Sequence, residues 1–133
     1  MNVLDSSAWI EFFLGSNAGE TYRPVVAEMG SLIVPTVAIL EVHRFLSRTG
    51  PSTVRDEHLD VMRRAQVVDL TDGRAIAASE VAQKHKLAMA DAVKYSIARE
   101  FKATFWTQDV DYKGLQGVNY QARKPAPKLT RLR

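Results

Sequence analysis

The chain has 133 residues, 46% of them hydrophobic and 25% charged, with no cysteine. That is one domain's worth of polypeptide with enough apolar content for its own core, and the missing cysteines exclude disulfides and thiolate metal ligands. No apolar run approaches the roughly 20 residues that span a bilayer, and MNVLDSS lacks the basic and apolar regions of a secretory leader. A soluble, cytoplasmic protein without membrane contact is expected.

The formal net charge of +3 is unevenly spread. Residues 120–133 carry five basic residues and no acid: Arg123, Lys124, Lys128, Arg131 and Arg133. Without them, thirteen basic residues face fifteen acids, so residues 1–119 are net −2. The expected organisation is a mildly acidic domain over residues 1–120 and a basic, proline-containing tail over 121–133, a composition suited to phosphates or an acidic partner.

Along the chain, short apolar runs alternate with helical patterns. MNVL (1–4) reads as a strand, and an apolar helical stretch follows at 7–14. A helix is expected at 20–29, a strand at SLIV (31–34), and helices at 36–48 and 52–64. AQVVDL (65–70) is the third strand, with helices at 72–86 and 90–101 after it. ATFWT (103–107) is the fourth strand, 109–114 a short helical turn, and GVNY (117–120) the weakest strand. Gly15, Gly30, Pro35, Gly50-Pro51 and Gly114 punctuate these elements. The alternation specifies an α/β fold with a parallel or mostly parallel sheet covered on both faces. Trp9 and Trp106 fall in the apolar runs and are expected to pack.

This architecture decides where acids can meet, because open α/β sheets bind ligands outside the carboxyl ends of their strands. Asp5 closes the first strand and Asp109 follows the fourth by two residues. Glu41 lies early in the helix after the second strand. Asp91 opens a helix antiparallel to the strands, so its start is at the same edge. Four acids separated by 36, 50 and 18 residues therefore converge on one rim.

Each acid has a simpler explanation to overcome. Glu41 lies within the stripe Ala38, Val42, Phe45 and Leu46, where a carboxylate is costly unless it pairs, for instance with an arginine, or coordinates a cation. Asp5 could cap the next helix, although Ser6 or Ser7 could serve equally well. Asp91 suits the positive end of a helix dipole. Asp109 competes with Asp111 for the role of fourth acid. Asp69 and Asp72 are accounted for by capping of helix 72–86, and His43, His58 and His85 share no ligand spacing, which argues against zinc. Two carboxylates about 5 Å apart repel by roughly 3 kcal/mol at an effective dielectric near 20, so a group of three or four calls for cations between them. Oxygen ligands without His or Cys suit Mg²⁺ or Mn²⁺, and such a rim points to phosphoryl chemistry.

The motifs VLDSSAWIEFF, PTVAILEVHRFL, LAMADAVKYSIARE and ATFWTQDVDYKGLQGV, in this order from residue 2 to about 118, resemble those of the PIN-domain ribonucleases, specifically the VapC-like toxins of type II toxin–antitoxin systems. The resemblance implies a parallel sheet of strand order 3-2-1-4-5 and an Mg²⁺- or Mn²⁺-dependent endoribonuclease site. Asp5, Glu41, Asp91 and Asp109 match the family acids that hold the ion and carry the catalysis, with Asp111 as the alternative fourth. Ser6 matches a hydroxyl that helps to hold the metal site, and Thr107 a residue that shapes it beside the last acid. The resemblance further implies cleavage of RNA of the translation machinery, a homodimer, and inhibition by a cognate antitoxin. Two other readings are a PIN-like nuclease of RNA processing or DNA repair without an antitoxin, and a phosphoacceptor module resembling a response-regulator receiver. The receiver reading expects adjacent acids after the first strand and a lysine ending the fifth. Asp5 stands alone and GVNYQARK places no lysine at the strand end.

Overall fold

The computed structural model describes residues 1–123. Five short strands form an all-parallel sheet: β1 (Asn2–Leu4), β2 (Leu32–Pro35), β3 (Gln66–Val68), β4 (Thr104–Thr107) and β5 (Val118–Tyr120). Their spatial order is β3-β2-β1-β4-β5, the order implied by the resemblance. The chain builds outward from β1 through β2 to β3, then returns to add β4 and β5 on the other side of β1. The order therefore reverses between β1 and β4, and the carboxyl ends of these two strands flank the resulting crevice.

Both faces of the sheet are covered, so the strands read as short continuous apolar runs rather than half-polar ones. Successive side chains still point to opposite faces. Leu4, Leu32 and Val34 enter one core with Trp9, Tyr22, Val42 and Met62. Val3, Ile33 and Phe105 enter the other with Ala92, Tyr95, Ile97 and Tyr112. The first core is closed by α1 (Ser6–Leu14), α4 (Thr36–Thr49) and α5 (Ser52–Arg63), together with the short α3 (Arg23–Ala27), which the short α2 (Asn17–Glu20) precedes. The second is closed by α6 (Asp72–His85) and α7 (Met89–Glu100). Trp9 is fully buried, and the Trp106 indole N–H donates to Asn2 Oδ1 at 2.9 Å, so both tryptophans pack as expected.

The helix expected at 20–29 is instead two short helices and a 3-10 turn, Met29–Ser31. Pro24 lacks an N–H and is tolerated only in a first helical turn, so a helix restarts there as α3. Glu28 then leaves helical space at φ −86°, ψ 59°. The turn expected at 109–114 is a single 3-10 turn, Val110–Tyr112. At the other end of α1, Gly15 adopts φ 67° and returns its N–H to the Phe12 carbonyl, a left-handed stop suited to glycine. No helix among the described residues is long and apolar enough to cross a membrane. Of the five basic residues of the tail, Arg123 lies within the described residues; Lys124, Lys128, Arg131 and Arg133 lie outside them.

Candidate active site

Asp5 leaves β1 with its backbone N–H still bonded to the Trp106 carbonyl of β4 at 2.8 Å, which pins the carboxylate at the crevice. It is also the N-cap of α1: its Oδ1 accepts from the Ser6 N–H at 2.8 Å. The expectation that a serine could take over the capping fails, because Ser6 and Ser7 are the first two residues inside the helix. Their hydroxyls are turned to the acids instead. Ser6 Oγ donates to Glu41 Oε1 at 2.8 Å, and Ser7 Oγ donates to Asp5 Oδ2 at 3.2 Å. Asp5 thus both caps the helix and belongs to the acid rim. At helix α6, by contrast, the cap is Thr71, whose side chain accepts from the Arg74 N–H, with Asp72 in the first turn and no part in this rim.

Thr107, fully buried at the end of β4, donates from Oγ1 to Asp5 Oδ2 at 2.8 Å and accepts from the Asp109 N–H at 3.0 Å. It therefore fixes both the first acid and the turn that carries the last. Asp109 in turn accepts from the Asp111 N–H at 2.9 Å. One carboxylate oxygen each from Asp91, Asp109 and Asp111 lie within 4.8 Å of one another. The two candidates for the fourth acid are therefore both present in one cluster. Burial holds the Asp91 carboxyl above its ordinary range, although the Lys94 ammonium opposes this. The Tyr112 phenol is also pushed up, first by burial and then by Asp5 and Asp91, so it faces the acids as a neutral hydroxyl.

Sequence reasoning missed Lys94. It projects from α7 one turn after Asp91, and its side chain is only 2% exposed. Its Nζ lies 2.6 Å from Asp5 Oδ1, 2.7 Å from Glu41 Oε1 and 3.5 Å from Asp91 Oδ1, with Ser6 Oγ at 3.4 Å. Burial alone would push the ammonium toward the neutral form, but Asp5 and Glu41 outweigh it and its pKa is raised. Glu41 therefore has a cationic partner, a lysine on a different helix rather than an arginine. The sequence does carry a signal: position 94 falls on the buried face of α7 with Tyr95, Ile97 and Ala98, just as Glu41 falls within the apolar stripe of α4.

Asp5, Ser6, Ser7, Glu41, Asp91, Lys94 and Asp109 line a cleft of about 860 Å³, and Arg44, Arg48 and Arg123 lie on its walls. Arg44 and Arg48 extend the face of α4 that carries Glu41, three and seven residues on. Both are exposed and form no salt bridge among the described residues. An acidic floor with cationic walls suits a phosphate backbone whose reacting group must enter an anionic centre.

The donor set fits a hard divalent cation. It offers carboxylate oxygens and hydroxyls, with neither His nor Cys in the cluster. Two oxygens bound to one Mg²⁺ at 2.0–2.1 Å are at most about 4.2 Å apart, so the Asp91, Asp109 and Asp111 carboxylates, mutually within 4.8 Å, would have to draw together to share an ion.

Comparison with known proteins gives a consistent picture. A family model described as PIN domain matches residues 3–117. A toxin–antitoxin complex from Klebsiella pneumoniae contains a chain of TM-score 0.76 at 16% identity, over 90% of this chain and 96% of that one. VapC20 of Mycobacterium tuberculosis, a toxin that cleaves the sarcin–ricin loop, gives 0.72 at 16% identity over 94% and 100% of the two chains. VapBC2 of Rickettsia felis, bound to a DNA fragment from its promoter, gives 0.69 at 12% identity over 91% and 97%. At these identities the likeness establishes the fold. No curated protein matches the chain. The sheet order, the site at its switch point and a family match over most of the chain lead to one assignment: the chain belongs to the PIN-domain family.

Proposed function

We propose that this protein is a divalent-metal-dependent endoribonuclease acting as the toxin of a toxin–antitoxin pair. The observation that carries the reading is the convergence of Asp5, Glu41, Asp91 and Asp109 on one cleft with arginines on its walls, with Asp111 clustered beside Asp91 and Asp109. The VapC and VapBC structures that share the fold support the toxin assignment.

Asp5, Glu41, Asp91 and Asp109 would hold Mg²⁺ or Mn²⁺, with Asp111, clustered beside Asp91 and Asp109, as the alternative fourth acid. Such an ion, when bound, supplies Lewis acidity toward a phosphoryl oxygen and a more acidic water. The protein's own part is positional. Thr107 holds Asp5 and the Asp109 turn in one hydrogen-bonded unit. Ser6 and Ser7 orient Glu41 and Asp5. Arg44, Arg48 and Arg123 would grip phosphates flanking the scissile bond. The substrate is RNA of the translation machinery, a class supported by the sarcin–ricin loop that VapC20 cleaves.

The toxin reading brings two protein partners, an antitoxin that covers the cleft and a second copy of the chain. An apolar hollow of about 340 Å³ lies between the start of α4, the turn after β3, α6 and α7. Leu70, 44% exposed, and Met89, 72% exposed, line it. A self-association face is the occupant that fits both this surface and the homodimer implied by the resemblance.

The test is incubation of the purified protein with total RNA and Mn²⁺, followed by mapping of the cleavage ends. Discrete cuts that vanish with EDTA and with Asp91→Asn support the reading; cleavage that persists in both refutes it. The alternative, a PIN nuclease of RNA processing or DNA repair without an antitoxin, makes a different prediction in cells. On the toxin reading, expression of the chain alone arrests growth and co-expression of a cognate antitoxin, sought as a small reading frame abutting this one, relieves the arrest; expression without effect favours the alternative.

A further inference from the structure

We propose that Tyr120 is a stacking platform for an unpaired base of the RNA strand beside the scissile phosphate, so that the cleft takes single-stranded segments. The inference rests on the nuclease reading above and adds to it a substrate class.

Two aromatic rings line the cleft, Phe45 and Tyr120. Phe45 packs against the first core, whereas Tyr120 joins neither core and is half-buried at the end of β5. Strand pairing sets it beside the acids. Tyr120 stands opposite Thr107 in the β4–β5 register, and the next N–H, that of Gln121, donates to the Thr107 carbonyl at 2.9 Å. Thr107 is the residue whose hydroxyl holds Asp5 and the Asp109 turn. One strand spacing, roughly 4.8 Å, therefore separates the backbone that carries the ring from the backbone that fixes the acids. An RNA strand whose phosphate reaches those acids has a neighbouring base within reach of the ring.

The charges around the ring suit the same occupant. The Lys113 ammonium lies over the ring, 5.5 Å from its centroid, and steadies it from one face, which leaves the other to the base. Lys113 is exposed, as is Arg123 on the cleft wall three residues past the ring, and both can meet phosphates. A flat ring among cations binds single-stranded nucleic acid because every base has a π-face and the backbone between bases is anionic. A base inside a duplex has both faces covered by its neighbours, so the ring selects unpaired nucleotides without reading their identity. Tyr120 also lies beyond residues 3–117, the segment matched by the family model, so the platform is a feature of this chain rather than of the shared motifs.

The experiment is an abasic scan of a short single-stranded RNA that spans a mapped cut, with the base removed at one position at a time and cleavage by the full chain followed with Mn²⁺. With wild type, one abasic position beside the cut should lower kcat/KM by about 5- to 150-fold. Tyr120→Leu keeps an apolar side chain for packing and removes the π-face. It should lose the same factor on intact RNA and nothing further at that abasic position, while Tyr120→Phe should cleave as wild type does. Annealing a complementary strand across that position should block cleavage. A Tyr120→Leu chain that matches wild type on intact RNA, one whose loss is the same at every abasic position, or a duplex cut as fast as the single strand overturns the proposal and leaves the nuclease reading standing. A wild-type chain that cuts no RNA overturns both, because there is then no scissile phosphate for the ring to flank.

Discussion

Replacing Lys94 with methionine, which keeps much of the length of the side chain and removes its charge, should be among the most damaging single changes in this fold. In the metal-free protein the ammonium sits 2.6 Å from Asp5 Oδ1 and 2.7 Å from Glu41 Oε1. At an effective dielectric near 20, each ion pair is worth roughly 6 kcal/mol of Coulomb attraction. Desolvating the ammonium and the carboxylates offsets several kcal/mol per ion. The balance that matters is the state after substitution: Asp5, 4% exposed at its side chain, keeps a charge with no cation beside it, and it repels Glu41. Removing one partner of such a buried pair costs about 3–5 kcal/mol. For a domain of this size that lowers the melting temperature by roughly 10–20 °C. The assay is thermal denaturation in EDTA at pH 7. Adding Asp5→Asn to Lys94→Met should restore part of the loss, since it removes the stranded charge and keeps an acceptor for the Ser6 N–H. A loss below about 1 kcal/mol, the range of exposed pairs, or no recovery in the double variant would contradict this electrostatic account.

Further outcomes can be measured on the same material. Asp91→Asn should abolish cleavage yet melt no lower than wild type without metal at pH 7. Because folding raises the Asp91 pKa above 3.8, the wild-type chain loses stability as pH rises from 3.8 through the folded value, so the variant's advantage should be greatest above that value and fade as the pH is lowered to 3.8. A variant that melts several degrees lower at pH 7 would show that helix-dipole support, not charge crowding, decides this position. Thr107→Val removes the donor to Asp5 Oδ2 and the acceptor for the Asp109 N–H; it should cost about 1–3 kcal/mol and reduce cleavage, as seen by urea denaturation and RNA turnover, whereas an unchanged cleavage rate argues that the unit has no positional role. Arg44→Ala/Arg48→Ala should weaken single-stranded RNA binding and shrink the slope of log K against log salt by about 0.7 for each phosphate left without its arginine; an unchanged slope places the RNA elsewhere. Met89→Asp should shift the protein toward a monomer in light scattering, and an unaltered mass would place the dimer face away from the hollow at Leu70.

Much of the fold is legible in the sequence because the apolar pattern is local. Short apolar runs such as SLIV, bounded by Gly30 and Pro35, and ATFWT are separated by helical stretches, so strand number, parallel pairing and two-sided burial follow from short windows of sequence. The segment that departs from expectation, 20–29, contains Pro24, whose missing N–H makes it a start signal rather than an interior residue.

The acids divide in the same way. That Glu41 requires a cation follows from its place in an apolar stripe, and that Asp5, Asp91 and Asp109 share the carboxyl edge of the sheet follows from the alternation of strands and helices. Which cation answers Glu41 is decided only by tertiary packing, which brings Lys94 against Asp5 across 89 positions of chain. Packing also decides that Asp109 and Asp111 belong to one cluster, and that Asp5 itself caps α1 while the serines turn to the acids. The physical reason is range. Periodicity reports which face of an element is buried. The partner that a buried charge meets there depends on the position and angle at which distant elements pack, and no short window of sequence carries that information.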